Sequence, residues 1–251
     1  MSSLATRDGD EWVLNGQKVF ISGARDADIM LVIARTQKSS DVAHRTEGMS
    51  LFVVDMKSPG ITLQPLNIHV ETAERQYMVF LDNVRLPADA LIGEAGKGAK
   101  LMFEGLNSER LLAAAAALGI GEYALKKAVA YSLDRKPFGK PIGSYQALQH
   151  RMALAKAELE AARLMTYHAA ERFDAGEDAG PQANMAKLLA SRAAVAAVEA
   201  AIQTHGGYAF DRDYDVVTLW PMVRLMEIAP VNNEMLLNYI GEHVLGLPKS
   251  Y

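Results

Sequence analysis

The 251 residues carry 26 Lys+Arg against 30 Asp+Glu, a formal charge of -4, with 50% hydrophobic residues and no cysteine. So apolar a composition supports a packed core and excludes a disordered chain, and the absence of thiols excludes a disulfide framework, Cys-ligated zinc or iron–sulfur centres and a thiol nucleophile. The slightly acidic balance speaks against bulk nucleic-acid or membrane-surface binding, but leaves room for an anionic small ligand met by a few local arginines.

Met1 to Asp10 has no apolar leader, and no window approaches the roughly 18 unbroken apolar residues of a membrane span, which points to a cytoplasmic protein. Over the first ninety residues Val, Ile and Phe recur in short runs broken by Gly, Asn and Pro, the pattern of strands. Trp12-Val13-Leu14 and Lys18-Val19-Phe20-Ile21 flank Asn15-Gly16, a dipeptide that tolerates the positive φ angles of a tight turn, so a hairpin is expected there. Further strands are expected over 28–36, 49–56, 60–67 and 77–87, with a turn at Ser58-Pro59-Gly60 and a polar surface loop over 37–47.

From about Gly93 the composition shifts to Ala, Leu, Met, Glu and Lys, all strong helix formers. Helices are expected from near Gly96 to Asp134, from Ser144 as N-cap to about Ala175, from Pro181 to about Thr204, near 222–228, and from Asn232 to Val244. Gly176 and Gly180 bracket a loop between the second and third. Ala113 to Ala117 and Ala190 to Ala201 permit close helix contact and offer an oligomer interface. The fold class is therefore α+β: a small antiparallel β-domain, sandwich- or barrel-like, over 1–92, then a four- to five-helix bundle over 93–251.

Four segments hold residues that could do chemistry. Leu133 to Pro141 is basic and ends a long helix. Arg135 there is either a charged C-terminal residue favoured by the helix dipole or a fork for phosphate oxygens. In Gln203 to Phe210 the pair Gly206-Gly207 leaves backbone N–H groups open to a ligand, and His205 beside it is a ligand, a base or a structural hydrogen-bonder. Glu109-Arg110 precedes an apolar run, where a carboxylate would have its pKa raised toward general-base use unless it faces solvent. Val19 to Gly23 closes the expected hairpin with an aromatic and a hydroxyl, which is also an ordinary strand end.

Taken in order, these segments resemble the acyl-CoA dehydrogenase family of flavoproteins. Asn15-Gly16-Gln17-Lys18-Val19-Phe20-Ile21-Ser22 is similar to the family's N-G-x-K-x-W-I-[TS], Asn83 to Pro87 to D-V-x-V-P, and Leu91-Ile92-Gly93 to L-[IL]-G. Arg135 to Lys140 is similar to R-x-x-F-G-[KR], with Gln146 at the family's helix-start Gln, and Gln203 to Phe210 to Q-x-x-G-G-x-[GA]-[FY].

The resemblance implies oxidation of an acyl-CoA to the trans-2-enoyl-CoA, a step of fatty acid metabolism, in which a base removes the α-proton and the β-hydrogen leaves as hydride to flavin N5. FAD is the implied cofactor and no metal is expected. Phe20 and Ser22 match the positions beside the isoalloxazine, with Phe20 where most members carry Trp. Arg135, Phe138, Gln146, Gln203, Gly206 and Gly207 match those that hold the pyrophosphate and adenosine part. An electron-transfer flavoprotein is the implied acceptor. A homodimer or homotetramer is implied, or a hetero-oligomer with a full-length homologue. Most members place the base in an E-G-[TS] motif, and Pro230 stands at that position. A minority branch places it before an Arg on the first bundle helix, so the resemblance implies Glu109 as base and Arg110 as the orienting, substrate-binding residue, with Glu227 and Glu234 as alternatives. Full-length members also begin with a helical domain and a flavin-covering strand that have no counterpart in these residues, which leaves a second expectation: a catalytically silent FAD-binding or assembly subunit, or a fragment that needs a partner chain.

Overall fold

The computed structural model describes residues 3–249 apart from 45, 71 and 73. The chain divides after Gly105 into two units, each with its own apolar core. The first is built on one seven-stranded sheet. Its strands are β1 (Leu4–Asp8), β2 (Glu11–Ser22), β3 (Ile29–Arg35), β4 (Met49–Asp55), β5 (Ile61–Pro65), β6 (Gln76–Pro87) and β7 (Leu91–Ile92), in the order β5-β6-β2-β1-β3-β4-β7. Neighbours are antiparallel except β1 and β3, so the sheet is mixed.

The strands expected over 28–36, 49–56, 60–67 and 77–87 correspond to β3, β4, β5 and β6. Alternation sets their faces: β4 buries Ser50, Phe52 and Val54, and β6 buries Tyr77, Val79 and Leu81, every second residue in each case. Trp12 of β2 meets Phe52 edge-on with centroids 5.4 Å apart, an aromatic pairing at the centre of this core.

The hairpin expected at Asn15-Gly16 is absent. Residues 11–22 run through as a single strand, and the dipeptide forms a bulge where the register with β6 slips between Leu14 and Gly16. A partner distant in sequence decides this. The Asn15 side-chain Oδ1 accepts the Asn83 backbone N–H at 2.8 Å, its Nδ2 donates to Asn83 Oδ1 at 3.2 Å, and Asn83 itself sits at φ 50°. The true hairpin is one strand earlier, where Gly9 at φ 62° and Asp10 form the two-residue loop between Asp8 and Glu11, a turn with glycine in its first central position.

Helix α1 (Gly98–Asp134) begins in the first unit, where a Cβ added to Gly98 would lie 2.5 Å from the Leu51 nitrogen. The rest of α1, with α2 (Gln146–Asp174), α3 (Gly180–His205), α4 (Leu219–Met226) and α5 (Asn233–Tyr239), makes the second unit, and α5 continues into one π-helical turn over Ile240–Val244. The buried residues of α2, Met152, Ala155, Leu159, Ala162, Thr166 and Ala169, step by three and four along one face. Alanines bring the helices close: Ala114 and Ala117 of α1 share the core with Ala190, Ala194 and Ala197 of α3. Ser144 does not cap α2. Tyr145 occupies the N-cap position and the Ser144 hydroxyl donates to the Pro141 carbonyl at 2.7 Å, because a short 3-10 turn over Ile142–Ser144 precedes the helix. Asn232 does cap α5, its side chain accepting the Met235 N–H at 2.9 Å.

Three helices meet at Gly121. A Cβ there would lie 2.8 Å from Leu159 Cδ2 and 3.1 Å from the Ala194 Cα, one a side-chain end and the other backbone. Gly121→Val is therefore expected to destabilise by about 2–3 kcal/mol through overpacking, read as a lower denaturant midpoint with the m-value unchanged.

Candidate functional site

In the first unit, the end of β2 departs from regular strand geometry. Its register with β6 slips again between Lys18 and Ile21, and Phe20 sits at φ 57° with 65% of its surface exposed. A positive φ on an aromatic residue is strained, and here the bulge turns a large ring outward instead of into the core. Ser22, also exposed, exchanges hydrogen bonds with Gln76: its hydroxyl donates to Oε1 at 3.1 Å and accepts from Nε2 at 2.8 Å. Lys18 lies beneath this turn, its amine donating to the Ile33 carbonyl at 2.5 Å, and burial lowers its pKa.

In the second unit, the C-terminus of α1 and the end of α3 enclose a cleft of about 510 Å³. Arg135, Gly206 and Gly207 all line it, so these three sequence candidates come together. Phe138, Gln146 and Gln203 are exposed and do not line it. Gly206 has φ 60° and ends α3, and a Cβ added to either glycine meets no atom within 4 Å, so the backbone at both positions faces open space. Among the described residues no carboxylate pairs with Arg135, whose guanidinium lies 6.0 Å from the centre of the Tyr208 ring. A cation, open backbone and aromatic faces together suit a phosphate carrying a planar ring.

Sequence reasoning did not find the aromatic wall of this cleft. His205 stacks on Tyr131 with centroids 4.4 Å apart, and Tyr214 packs edge-on to both at 5.6 Å. His205 is buried and its Nδ1–H donates to the Ala201 carbonyl at 2.8 Å, so it is the structural hydrogen-bonder among its alternatives. Burial also raises the Tyr131 phenol, against the lowering pull of Arg135. The available signal was His205 and Tyr208 directly flanking the paired glycines; Tyr131, on α1, is far from them in sequence and gave none.

Of the two alternatives for Glu109 the solvent-facing one holds; its side chain is exposed. The inward face of α1 runs through Arg110, Ala114, Ala117 and Leu118, and position 109 lies off that stripe. Arg110 is the buried member of the pair, 6% exposed, with an Nη1 donating to Asn107 Oδ1 at 3.0 Å and no partner for Nε. Burial presses its pKa down, opposed by Tyr239 and Glu109. Of the alternative carboxylates, Glu227 pairs with Arg224 at 2.9 Å, and Glu234 is exposed in the first turn of α5. Pro230 lies in the loop joining α4 to α5. Among the described residues no group of His, Asp and Glu is gathered to hold a metal ion, and no helix is long and apolar enough to cross a membrane.

Comparison with known proteins covers both units. Residues 1–84 match the family described as acyl-CoA dehydrogenase, middle domain, and residues 96–245 match acyl-CoA dehydrogenase, C-terminal domain. The acyl-CoA dehydrogenase FadE12 of Mycobacterium tuberculosis is 43% identical over 100% of this chain and 64% of its own length. The structure of glutaryl-coenzyme A dehydrogenase in complex with glutaryl-CoA superposes with a TM-score of 0.92 at 34% identity, over 100% of this chain and 63% of that one. Butyryl-CoA dehydrogenase from Megasphaera elsdenii gives a TM-score of 0.92 at 33% identity over 97% of this chain. The chain thus spans between 56% and 64% of the length of the curated relatives it matches. With both of its units matched in order and the fold shared throughout, the chain belongs to the acyl-CoA dehydrogenase family.

Proposed function

We infer that this chain carries the flavin-binding and acyl-oxidising part of an acyl-CoA dehydrogenase, an oxidoreductase that converts an acyl-CoA to the trans-2-enoyl-CoA. The observation that carries this is the cleft at the end of α3, where Arg135 and the open backbone of Gly206 and Gly207 converge in a chain of this family. These residues fit FAD: a side chain at either glycine would stand in the space they leave, and the guanidinium of Arg135 makes no ion pair among the described residues, although Asp211 also lines the cleft. When bound, FAD supplies a two-electron acceptor for the hydrogen leaving the β-carbon.

Each group then has a role that its chemistry supports. Arg135 gives charge-assisted hydrogen bonds to phosphate, and the N–H groups of Gly206 and Gly207 add neutral ones. Phe138, Gln146 and Gln203 are proposed around the adenosine part, where their exposure leaves them free to contact a ligand. Phe20 offers an outward ring as a wall for a planar system, and the Ser22 hydroxyl is already oriented by Gln76. Glu109 is the proposed base for the α-proton, and Arg110, the buried cation that follows it in the chain, is the proposed orienting and substrate-binding residue. The acyl-CoA is the substrate, an electron-transfer flavoprotein the proposed acceptor, fatty acid metabolism the setting and the cytoplasm the site of action. The working assembly is proposed to be a homodimer or homotetramer, or a hetero-oligomer with a full-length homologue, with the division between β-domain and bundle placed at 92/93.

Pro230 favours one other reading, a catalytically silent FAD-binding or assembly subunit, because a proline at that position cannot take a proton. The two are separated by incubating the FAD-loaded chain with a panel of acyl-CoAs and an artificial electron acceptor, and weighing the products. The active reading expects a thioester lighter by two hydrogens; bound flavin with unaltered thioesters across the panel would establish the silent one.

A further inference from the structure

Helix α3 buries a lysine inside its alanine face. Lys187 is 1% exposed and lies in the same buried row as Ala183, Ala190 and Ala194. An ammonium group in such a place gives up its hydration, and an apolar side chain of similar length would avoid that cost, so its retention calls for a reason. Its hydrogen bonds supply one. The amine donates to the Val231 carbonyl at 2.7 Å and to Asn233 Oδ1 at 3.0 Å. Asn233 is held again from α3, its Nδ2 donating to the Ser191 hydroxyl at 3.2 Å, while its backbone N–H donates to the Glu227 carbonyl at 3.0 Å.

These contacts converge on the loop between α4 and α5. Pro230 has no N–H to give, so the loop has one fewer means of holding its own backbone. Asn232, between the two residues that Lys187 grips, is the N-cap of α5. One amine from a neighbouring helix thus holds both sides of a cap.

We propose that Lys187 is a positioning residue whose buried ammonium fixes the 230–233 loop and with it the start of α5. The inference rests on the function proposed above only in making this loop, which carries the position of the base in most of the family, a boundary of the acyl site. The hold depends on charge. Burial lowers the Lys187 pKa from 10.5 to about 8, opposed by Glu227 at the end of α4, itself paired with Arg224, and by Glu234 on α5. Below this value the ammonium makes charge-assisted bonds; above it a neutral amine keeps two weaker N–H donors.

The test is amide hydrogen exchange over residues 228–236 in the full chain, corrected for intrinsic rates, on either side of that pH. The wild-type chain is expected to lose roughly tenfold protection at the Asn233 N–H as the amine deprotonates, the loss of about one charge-assisted hydrogen bond. Lys187→Met should show the unprotected rate at both pH values while its global unfolding midpoint is retained or raised, a combination that a merely structural lysine would not give. Lys187→Arg should keep the protection and lose the pH step, because a guanidinium stays charged. Should Lys187→Met not fold, the arginine variant alone decides. A wild-type loop equally protected on both sides, or a pH step that survives in Lys187→Arg, overturns the proposal. Because no turnover is read, a chain that forms no enoyl thioester counts against the proposed function and leaves this result standing by itself.

Discussion

Glu109→Gln is expected to reduce acyl-CoA oxidation by about 10²–10⁴-fold, the span usually contributed by a positioned general base. The amide keeps the size and hydrogen-bonding reach of the carboxylate and removes only its proton affinity. Since Glu109 is exposed and lies off the buried face of α1, the variant should fold with an unchanged unfolding midpoint and bind FAD as well as the parent chain. Steady-state kinetics beside a flavin titration separate the two effects. Turnover that survives in Glu109→Gln would move the base to Glu227 or Glu234. Glu227 is already committed to Arg224 at 2.9 Å, so Glu234 would be the next to change.

The second large effect is expected on flavin affinity. Arg135→Ala removes the cation of the cleft and should weaken FAD binding by about 10–100-fold, corresponding to roughly 1.5–3 kcal/mol for hydrogen bonds to a charged group. Gly207→Val tests the same surface by the opposite means. A Cβ at that position meets nothing within 4 Å, so the fold has room for the new side chain, and the cleft alone bears the change. Fluorescence titration with FAD should show weaker binding in both variants at an unaltered thermal midpoint. Equal affinity in both would remove the cleft from the flavin site.

Legibility in the sequence followed the range of the forces involved. Strands β3 to β6 and the three long helices could be read because period-two and helical patterns are local, and their ends are marked by local residues such as Pro181 and Asn232. Asn15-Gly16 misled because a tight turn and a bulge ask for the same positive φ; the choice between them was made by Asn83, in another strand. Ser144 misled in a similar way, its hydroxyl turning back to Pro141 in a turn that delays the helix by one residue.

At the site, Arg135, Gly206 and Gly207 were legible as residue types suited to phosphate, and the fold puts all three on one cleft. The burial of Arg110 rather than Glu109 was not, because adjacent helical positions differ by a third of a turn and the apolar run after them does not say which one points inward. Lys187 was missed because a lysine in an alanine-rich helix is ordinarily solvated. Its spacing from Ala183, Ala190 and Ala194 was the one sign that it shares their buried face.

The most direct measurement is the absorbance spectrum of the chain with FAD, before and after anaerobic addition of acyl-CoAs of graded length. Bound flavin is expected to bleach on reduction by at least one acyl-CoA, and not to bleach in Glu109→Gln. Flavin that binds and keeps its full absorbance through the whole series would contradict it.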